Sequence, residues 1–189
     1  MDYTTLSLAD VKTGLADIGR DVENTFGPLS ARQLNWRQDA TRWSVGQCLE
    51  HLLTANKLMF GQADEALNPA HPRSVWERLP GLPAVFGKLL VRSQAPEATR
   101  KLKAPTRARP TTSDIPADVV QRFVAQHREA VARVAALDEA LAVRAIMTSP
   151  FASIVVYSVL DGWRLILAHD RRHVGQARGV TLAAEFPKA

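Results

Sequence analysis

The 189-residue sequence has one cysteine, Cys48, and no long apolar run. A single cysteine excludes an internal disulfide and is typical of proteins in reducing compartments. The longest apolar stretch, residues 153–163, is interrupted by Asp161 and falls short of the roughly 18 residues that a membrane helix needs. The first ten residues have neither the basic start nor the apolar centre of a secretory signal. These absences predict a cytoplasmic protein with no membrane partner.

A positive charge spread over the whole sequence is also missing. The formal net charge is +5, but the segment 88–109 alone has seven basic residues and one acidic residue, Glu97. This segment contributes +6, so the rest of the chain sums to −1. Nucleic-acid binding needs a broader basic face, and we therefore predict no nucleic-acid partner. A solvated loop is the simpler interpretation of the segment, and an anion-binding role is the alternative.

Glycine and proline are sparse in four long segments, whose apolar residues recur at helical rather than alternating spacing. Ser44 and Gln47 form the pattern of a capping box and predict the start of the second helix. No segment alternates like a strand, so we predict an all-α four-helix bundle that forms a single domain over residues 1–189. The predicted helices cover residues 8–25, 44 to beyond 59, 116 to about 141, and 153–178.

A long crossover separates the second and third predicted helices. Residues 68–116 contain eight of the eleven prolines and most of the basic excess. We expect one short helix there, near residues 85–93. Connections of this length are uncommon in compact domains and tend to be functional or mobile.

Two histidines four residues apart, His169 and His173, lie in the sequence LAHDRRHVGQ at positions 167–176. This spacing places both imidazoles on one side of a helix, as in zinc-binding H-E-x-x-H motifs, but the spacing alone is weak evidence. The same helix face is mostly apolar or small, and histidines that face an interior need polar partners. A metal ion is one such partner.

His51, in the sequence CLEHLL of the second helix, is the candidate for a third ligand. Three histidines leave a fourth coordination position open, which distinguishes catalytic metal sites from closed structural ones. Such a set suits Zn²⁺ or Ni²⁺, and the sequence does not choose between them.

The two stretches RWSVGQCLEHLL and LAHDRRHVGQ together resemble the paired signatures of the DinB/YfiT-like metalloenzyme superfamily. The matching positions are Trp43, Ser44 and His51, followed by the final-helix H-x-x-x-H pair and Gln176. The resemblance implies a four-helix bundle, often a homodimer, in which His51, His169 and His173 bind a divalent metal. Relatives include bacillithiol transferases, a mycothiol-dependent maleylpyruvate isomerase and metal-dependent hydrolases. The proline-rich basic segment lies outside the common pattern, so no substrate carries over.

Further residues near these motifs have expected roles. Gln176 is positioned to orient a histidine ligand, with ordinary helix surface as the alternative. Asp161 is the candidate general base, two turns before His169. We expect Cys48 to be a small buried residue rather than a thiolate ligand. Asp170 should point away from the three histidines, and we place two other residues, His71 and His127, at the surface.

Two chemistries, both on a small-molecule substrate, suit such a metal site. In the first, which we favour, the metal lowers the pKa of a low-molecular-weight thiol, whose thiolate attacks an electrophile. In the second, the metal activates water for hydrolysis with Asp161 as base. A metal-binding stress-response protein without turnover is the third possibility.

Overall fold

The computed structural model describes residues 1–98, 104–110 and 114–188. In these ranges the chain is mostly helical, with eight α-helices and one two-stranded hairpin. None of these helices is both long enough and apolar enough to cross a membrane. The elements are α1 (Leu8–Phe26), α2 (Ala31–Asn35), α3 (Val45–Leu67), α4 (Val75–Arg78), α5 (Leu82–Gln94), α6 (Val119–Ala135), α7 (Glu139–Arg144), β1 (Ile146–Ser149), β2 (Ala152–Ser158) and α8 (Val159–Thr181).

The four longest helices pack against one another and enclose the core. Helix α1 contacts α6 and α8, and α3 contacts the same two helices. Their apolar residues recur every three or four positions, so that one face of each helix is buried. Val11, Leu15 and Leu52, for example, are fully buried. Each such side chain contributes about 1.5–3 kcal/mol to stability relative to an exposed position.

The start of α3 is fixed by the predicted capping box. The backbone N–H of Gln47 donates to Ser44 Oγ at 3.1 Å, and the N–H of Ser44 donates to Gln47 Oε1 at 3.1 Å. These two bonds satisfy backbone donors that a helix start otherwise leaves free. Because Ser44 fixes the first turn, the direction of every later side chain on α3 is set, including that of His51.

The prediction of a helix from residue 153 and of no strand is wrong for residues 146–158. β1 and β2 pair antiparallel, with Met147 opposite Tyr157 and both side chains buried. The β-branched run Ile154–Val156 favours extended backbone, because branching at Cβ restricts the side chain in a helix. Helix α8 starts only after Ser158, whose Oγ accepts the N–H of Asp161 at 3.0 Å.

The third predicted helix also ends earlier than expected. Helix α6 stops at Ala135, and the separate short helix α7 follows. Asp138 starts this second helix, since its Oδ1 accepts the N–H of Leu141 at 2.7 Å. An aspartate at this position competes with continued helix by capping a new one.

The crossover contains more structure than the sequence predicted. The short helix expected near residues 85–93 is present as α5 and packs against β2 and α8, and α4 precedes it. Glu77 of α4 is buried and accepts hydrogen bonds from Thr148 Oγ1 and the Ser74 N–H, both at 2.7 Å. This carboxylate joins the crossover to the hairpin. Three of the basic residues, Arg100, Lys101 and Lys103, lie outside the described residues.

Helices α5 and α8 meet at Gly87, and we predict that Gly87→Ala destabilises the protein. An added Cβ would lie 2.8 Å from Cγ and 3.1 Å from Cβ of Asp161, whose carboxylate is ion-paired with Arg164. Overpacking of this kind costs about 1–3 kcal/mol, against a gain of about 1 kcal/mol from replacing a helical glycine. Urea denaturation should therefore show a net loss of up to about 2 kcal/mol in the free energy of unfolding.

Gly61→Ala in α3 is the matched control, because a Cβ there meets no atom within 4 Å. This variant should gain up to about 1 kcal/mol. Equal effects of the two substitutions would contradict the close packing of α5 on α8.

Candidate metal centre

Three histidines from two helices converge at one point between α3 and α8. His51 comes from α3, and His169 and His173 come from α8. One ring nitrogen of each histidine lies within 4.8 Å of one ring nitrogen of each of the other two. The Nε2 atoms of His51 and His169 are 3.2 Å apart. His51 is buried and the other two are partly buried, so the structure brings together the three residues that the sequence singled out.

The tautomers of two of these rings are fixed by hydrogen bonds on their outer nitrogens. His51 Nδ1 donates to the backbone carbonyl of Ala108 at 2.6 Å. His173 Nδ1 donates to Gln176 Oε1 at 3.0 Å, which is the contact expected of a residue that orients a ligand. Each bond leaves the Nε2 lone pair of that ring directed at the centre of the cluster.

Burial keeps the three imidazoles neutral. Burial lowers the pKa of His169 well below its ordinary value, and the neighbouring His173 and His51 lower it further. Burial and the charge of His51 lower the pKa of His173 to about 3, and burial also lowers the pKa of His51. Neutral imidazole is the form that binds a metal, so the cluster is ready to bind at neutral pH.

The donor set fits a divalent transition metal. In a tetrahedral zinc site with Zn–N bonds of 2.0–2.1 Å, the nitrogens lie about 3.3 Å apart, close to the 3.2 Å between the Nε2 atoms of His51 and His169. Two unprotonated nitrogens at this distance repel each other unless a cation or a shared proton lies between them. Three nitrogen ligands leave a coordination position for a further molecule. Zn²⁺ and Ni²⁺ both suit such a set.

Two neighbours of the cluster were not predicted as parts of the site. The ring of Trp43 stacks on His173, with centroids 5.8 Å apart, and its centroid is 5.0 Å from that of His51. Ala108 belongs to a short 3-10 turn of the crossover, Thr106–Ala108, and is fully buried. A backbone carbonyl carries no side-chain signal, so the sequence could not reveal this contact.

Arg172 lies near the cluster. Its side chain is partly exposed and donates to the Ser93 carbonyl at 2.9 Å. After burial and the neighbouring histidines, its positive charge is a further cause that lowers the pKa values of His169 and His173.

Asp161 and Cys48 lie apart from the three histidines. Asp161 is in the first turn of α8 and forms an ion pair with Arg164 at 2.9 Å. It precedes His169 by eight residues, or about 12 Å along the helix. Its role as a general base stays a prediction. Cys48 is fully buried, and burial raises the pKa of its thiol to about 12, so the expected structural role fits.

The prediction that His127 is a surface residue is wrong. Its side chain is only 2% exposed, and its Nε2 lies 3.0 Å from Oδ2 of Asp170, which is fully buried. The sequence could have predicted this burial. Helical spacing puts His127 on the same apolar face of α6 as Val120, Phe123 and Val134. We expected Asp170 to point away from the three histidines, but its Oδ1 lies 4.0 Å from Nδ1 of His169.

His71 is not a surface residue either. Its side chain is 14% exposed and lies between two carboxylates, with Nδ1 3.6 Å from Glu65 Oε1 and Nε2 3.3 Å from Glu77 Oε2. These contacts join the end of α3 to α4. They lie at the opposite end of α3 from His51.

We predict that the purified protein contains about one equivalent of divalent metal and that His51→Ala removes most of it. The substitution deletes one of three ligands and the only one supplied by α3. Elemental analysis of the two proteins, prepared side by side, measures the difference. His71→Ala is the control and should keep the metal, because His71 lies outside the cluster. Equal metal in the wild type and His51→Ala would exclude the three-histidine site.

The metal-free protein should become less stable as the pH falls below about 6.5. The pKa of His173 is about 3 in the folded state and 6.5 in its ordinary environment, so only the unfolded chain takes up a proton between these values. Stability is therefore complete above about pH 6.5 and declines toward pH 3. Urea denaturation in the presence of a chelator should show a shallower decline for His173→Gln than for the wild type. Parallel curves would contradict a neutral, buried His173, and Gly61→Ala should keep the wild-type slope.

Comparison with known proteins agrees with the geometry of this centre. A family model described as the DinB superfamily matches residues 15–177, a range that includes all three histidines. No curated protein and no solved structure gives a significant match. Because the match covers most of the sequence, the chain belongs to the DinB superfamily.

Proposed function

We propose that this protein is a divalent-metal-assisted thiol S-transferase that acts on small electrophiles. The observation that carries the proposal is the convergence of three neutral imidazoles, which leave one coordination position open. A bound Zn²⁺ or Ni²⁺ would lower the pKa of a thiol at that position and so favour its thiolate. The sulfur then forms a bond to the electrophilic carbon, the thiol proton passes to solvent, and the carbon's leaving group departs with the displaced electron pair.

The residues around the cluster support chemistry on an anionic thiol. The apolar ring of Trp43 packs against His51 and His173. Arg172 contributes a positive charge near His169 and His173, which favours a thiolate or a carboxylate over a neutral ligand. Low-molecular-weight thiols that carry carboxylates fit this environment.

The thiol has to come from a co-substrate. Cys48 is the only cysteine of the sequence, and its thiol is fully buried with a pKa raised to about 12. A protonated, enclosed thiol is a poor nucleophile. The ion pair of Asp161 with Arg164, about 12 Å along α8 from His169, also favours thiol chemistry over hydrolysis with Asp161 as base.

We predict that turnover requires both metal and thiol. Metal-loaded protein is incubated with aryl halides, epoxides, activated alkenes and aryl esters, with and without glutathione, cysteine, bacillithiol or mycothiol. Loss of electrophile should depend on a thiol and stop with a chelator. His51→Ala should lower the rate at least 100-fold, on the order of the effect of a lost catalytic group, and Gly61→Ala should keep it.

Other results would identify a different function. Ester cleavage that needs metal but no thiol would indicate a hydrolase. Stoichiometric metal without turnover of any compound would contradict the proposal and favour a metal-binding protein without catalysis.

A further inference from the structure

Asp170 places a buried carboxylate beside the three-histidine cluster without being one of its ligands. Its side chain is fully buried, and its Oδ1 lies 4.0 Å from Nδ1 of His169. Its negative charge also reaches His51, where it opposes the lowering of the pKa by burial. The carboxylate therefore acts on both helices that supply ligands.

Side chains from two other helices lie against this carboxylate. Asn56 of α3 donates from Nδ2 to both oxygens, at 3.2 and 3.0 Å. His127 of α6 has its Nε2 3.0 Å from Oδ2, while its Nδ1 donates to the Phe123 carbonyl at 3.1 Å. Taking a carboxylate out of water costs several kcal/mol, and apolar residues of similar size often stabilise a core equally well. Stability alone therefore does not account for a carboxylate at this position.

The three ligand histidines differ in what faces their Nδ1 atoms. His51 and His173 each donate to a neutral carbonyl oxygen, from Ala108 and Gln176. His169 instead has a carboxylate oxygen on that side. A carboxylate behind a histidine ligand orients the ring and makes its other nitrogen a stronger donor. At 4.0 Å the interaction between this carboxylate and His169 is electrostatic rather than a hydrogen bond.

We propose that Asp170 is the positioning residue and the buried counter-charge of the metal centre. Held by Asn56, it would direct Nε2 of His169 toward a bound metal and offset the charge of a divalent ion held by three neutral imidazoles. The proposal requires that the three histidines bind a metal, and it is independent of the reaction that follows.

Asp170→Asn removes the charge and keeps the hydrogen bond to Asn56, because the amide oxygen can still accept from Nδ2 of Asn56. We expect the affinity of the metal-free protein for Zn²⁺, measured by competition with a chromophoric chelator, to fall about 10–100-fold. If the folded variant binds Zn²⁺ as tightly as the wild type, Asp170 contributes only to the stability of the fold, and the proposal is wrong.

Glu77→Gln is the matched control, because it also removes a buried carboxylate that faces a histidine. Glu77 is held by Ser74 and Thr148, and its histidine, His71, contacts residue 65 of α3. That contact lies fourteen residues beyond position 51, or about 21 Å along the helix. Glu77→Gln should change thermal stability but keep the affinity for Zn²⁺ within about twofold of the wild type. Equal loss of affinity in both variants would contradict a specific role of Asp170.

The wild-type protein gives a second test that does not depend on the folding of Asp170→Asn. In the zinc-loaded protein, ¹⁵N NMR of the imidazoles should show His169 bound through Nε2 with its proton on Nδ1, facing Asp170. Coordination through Nδ1 of His169 would overturn the proposal. A wild-type protein that binds no Zn²⁺ would overturn it together with the metal centre, whereas missing transferase activity would contradict only the proposed reaction.

Discussion

The approach of His51 Nε2 to His169 Nε2, at 3.2 Å, determines how α3 and α8 must pack. Two nitrogen lone pairs at this distance repel each other unless a cation or a proton lies between them. The interface between α3 and α8 therefore needs a cation or a shared proton at this point. A turn of either helix about its axis would move an imidazole away from the centre. The N-caps at Ser44 and Ser158 fix where each helix starts and therefore which face carries the histidines.

A second layer of polar contacts behind the histidines makes this packing specific. Asn56, Asp170 and His127 come from α3, α8 and α6 and meet inside the apolar core. Polar groups in such a place are costly unless they are paired. The hydrogen bonds of Asn56 to Asp170 therefore favour one packing of α3 against α8, with His127 of α6 against the same carboxylate.

The sequence contained much of the centre but only part of its surroundings. The i, i+4 spacing of His169 and His173 and the capping box of Ser44 are local patterns, and local helical geometry alone turns them into positions in space. Whether His51 would meet the other two depended on the packing of α3 against α8, which periodicity does not specify. The resemblance to DinB proteins supplied that missing step.

The errors arose where tertiary contacts overrule local composition. Residues 153–157 have the apolar content of a helix, but their β-branched side chains pair with β1 instead. The surface position predicted for His127 followed from its place outside the two histidine motifs, whereas its spacing puts it on the apolar face of α6, against the buried Asp170. Buried polar groups are nearly always hydrogen-bonded or paired. A polar residue on an apolar helix face is therefore better interpreted as buried with a polar partner than as exposed.

The crossover contributes to the cluster through its backbone. The side chains on either side of Ala108, Arg107 and Arg109, are exposed. The Ala108 carbonyl of the 3-10 turn accepts from Nδ1 of His51 and fixes the tautomer of that ring without contributing a side chain. Because every residue type supplies such a carbonyl, this contact depends on the path of the backbone in the turn rather than on the residue at position 108.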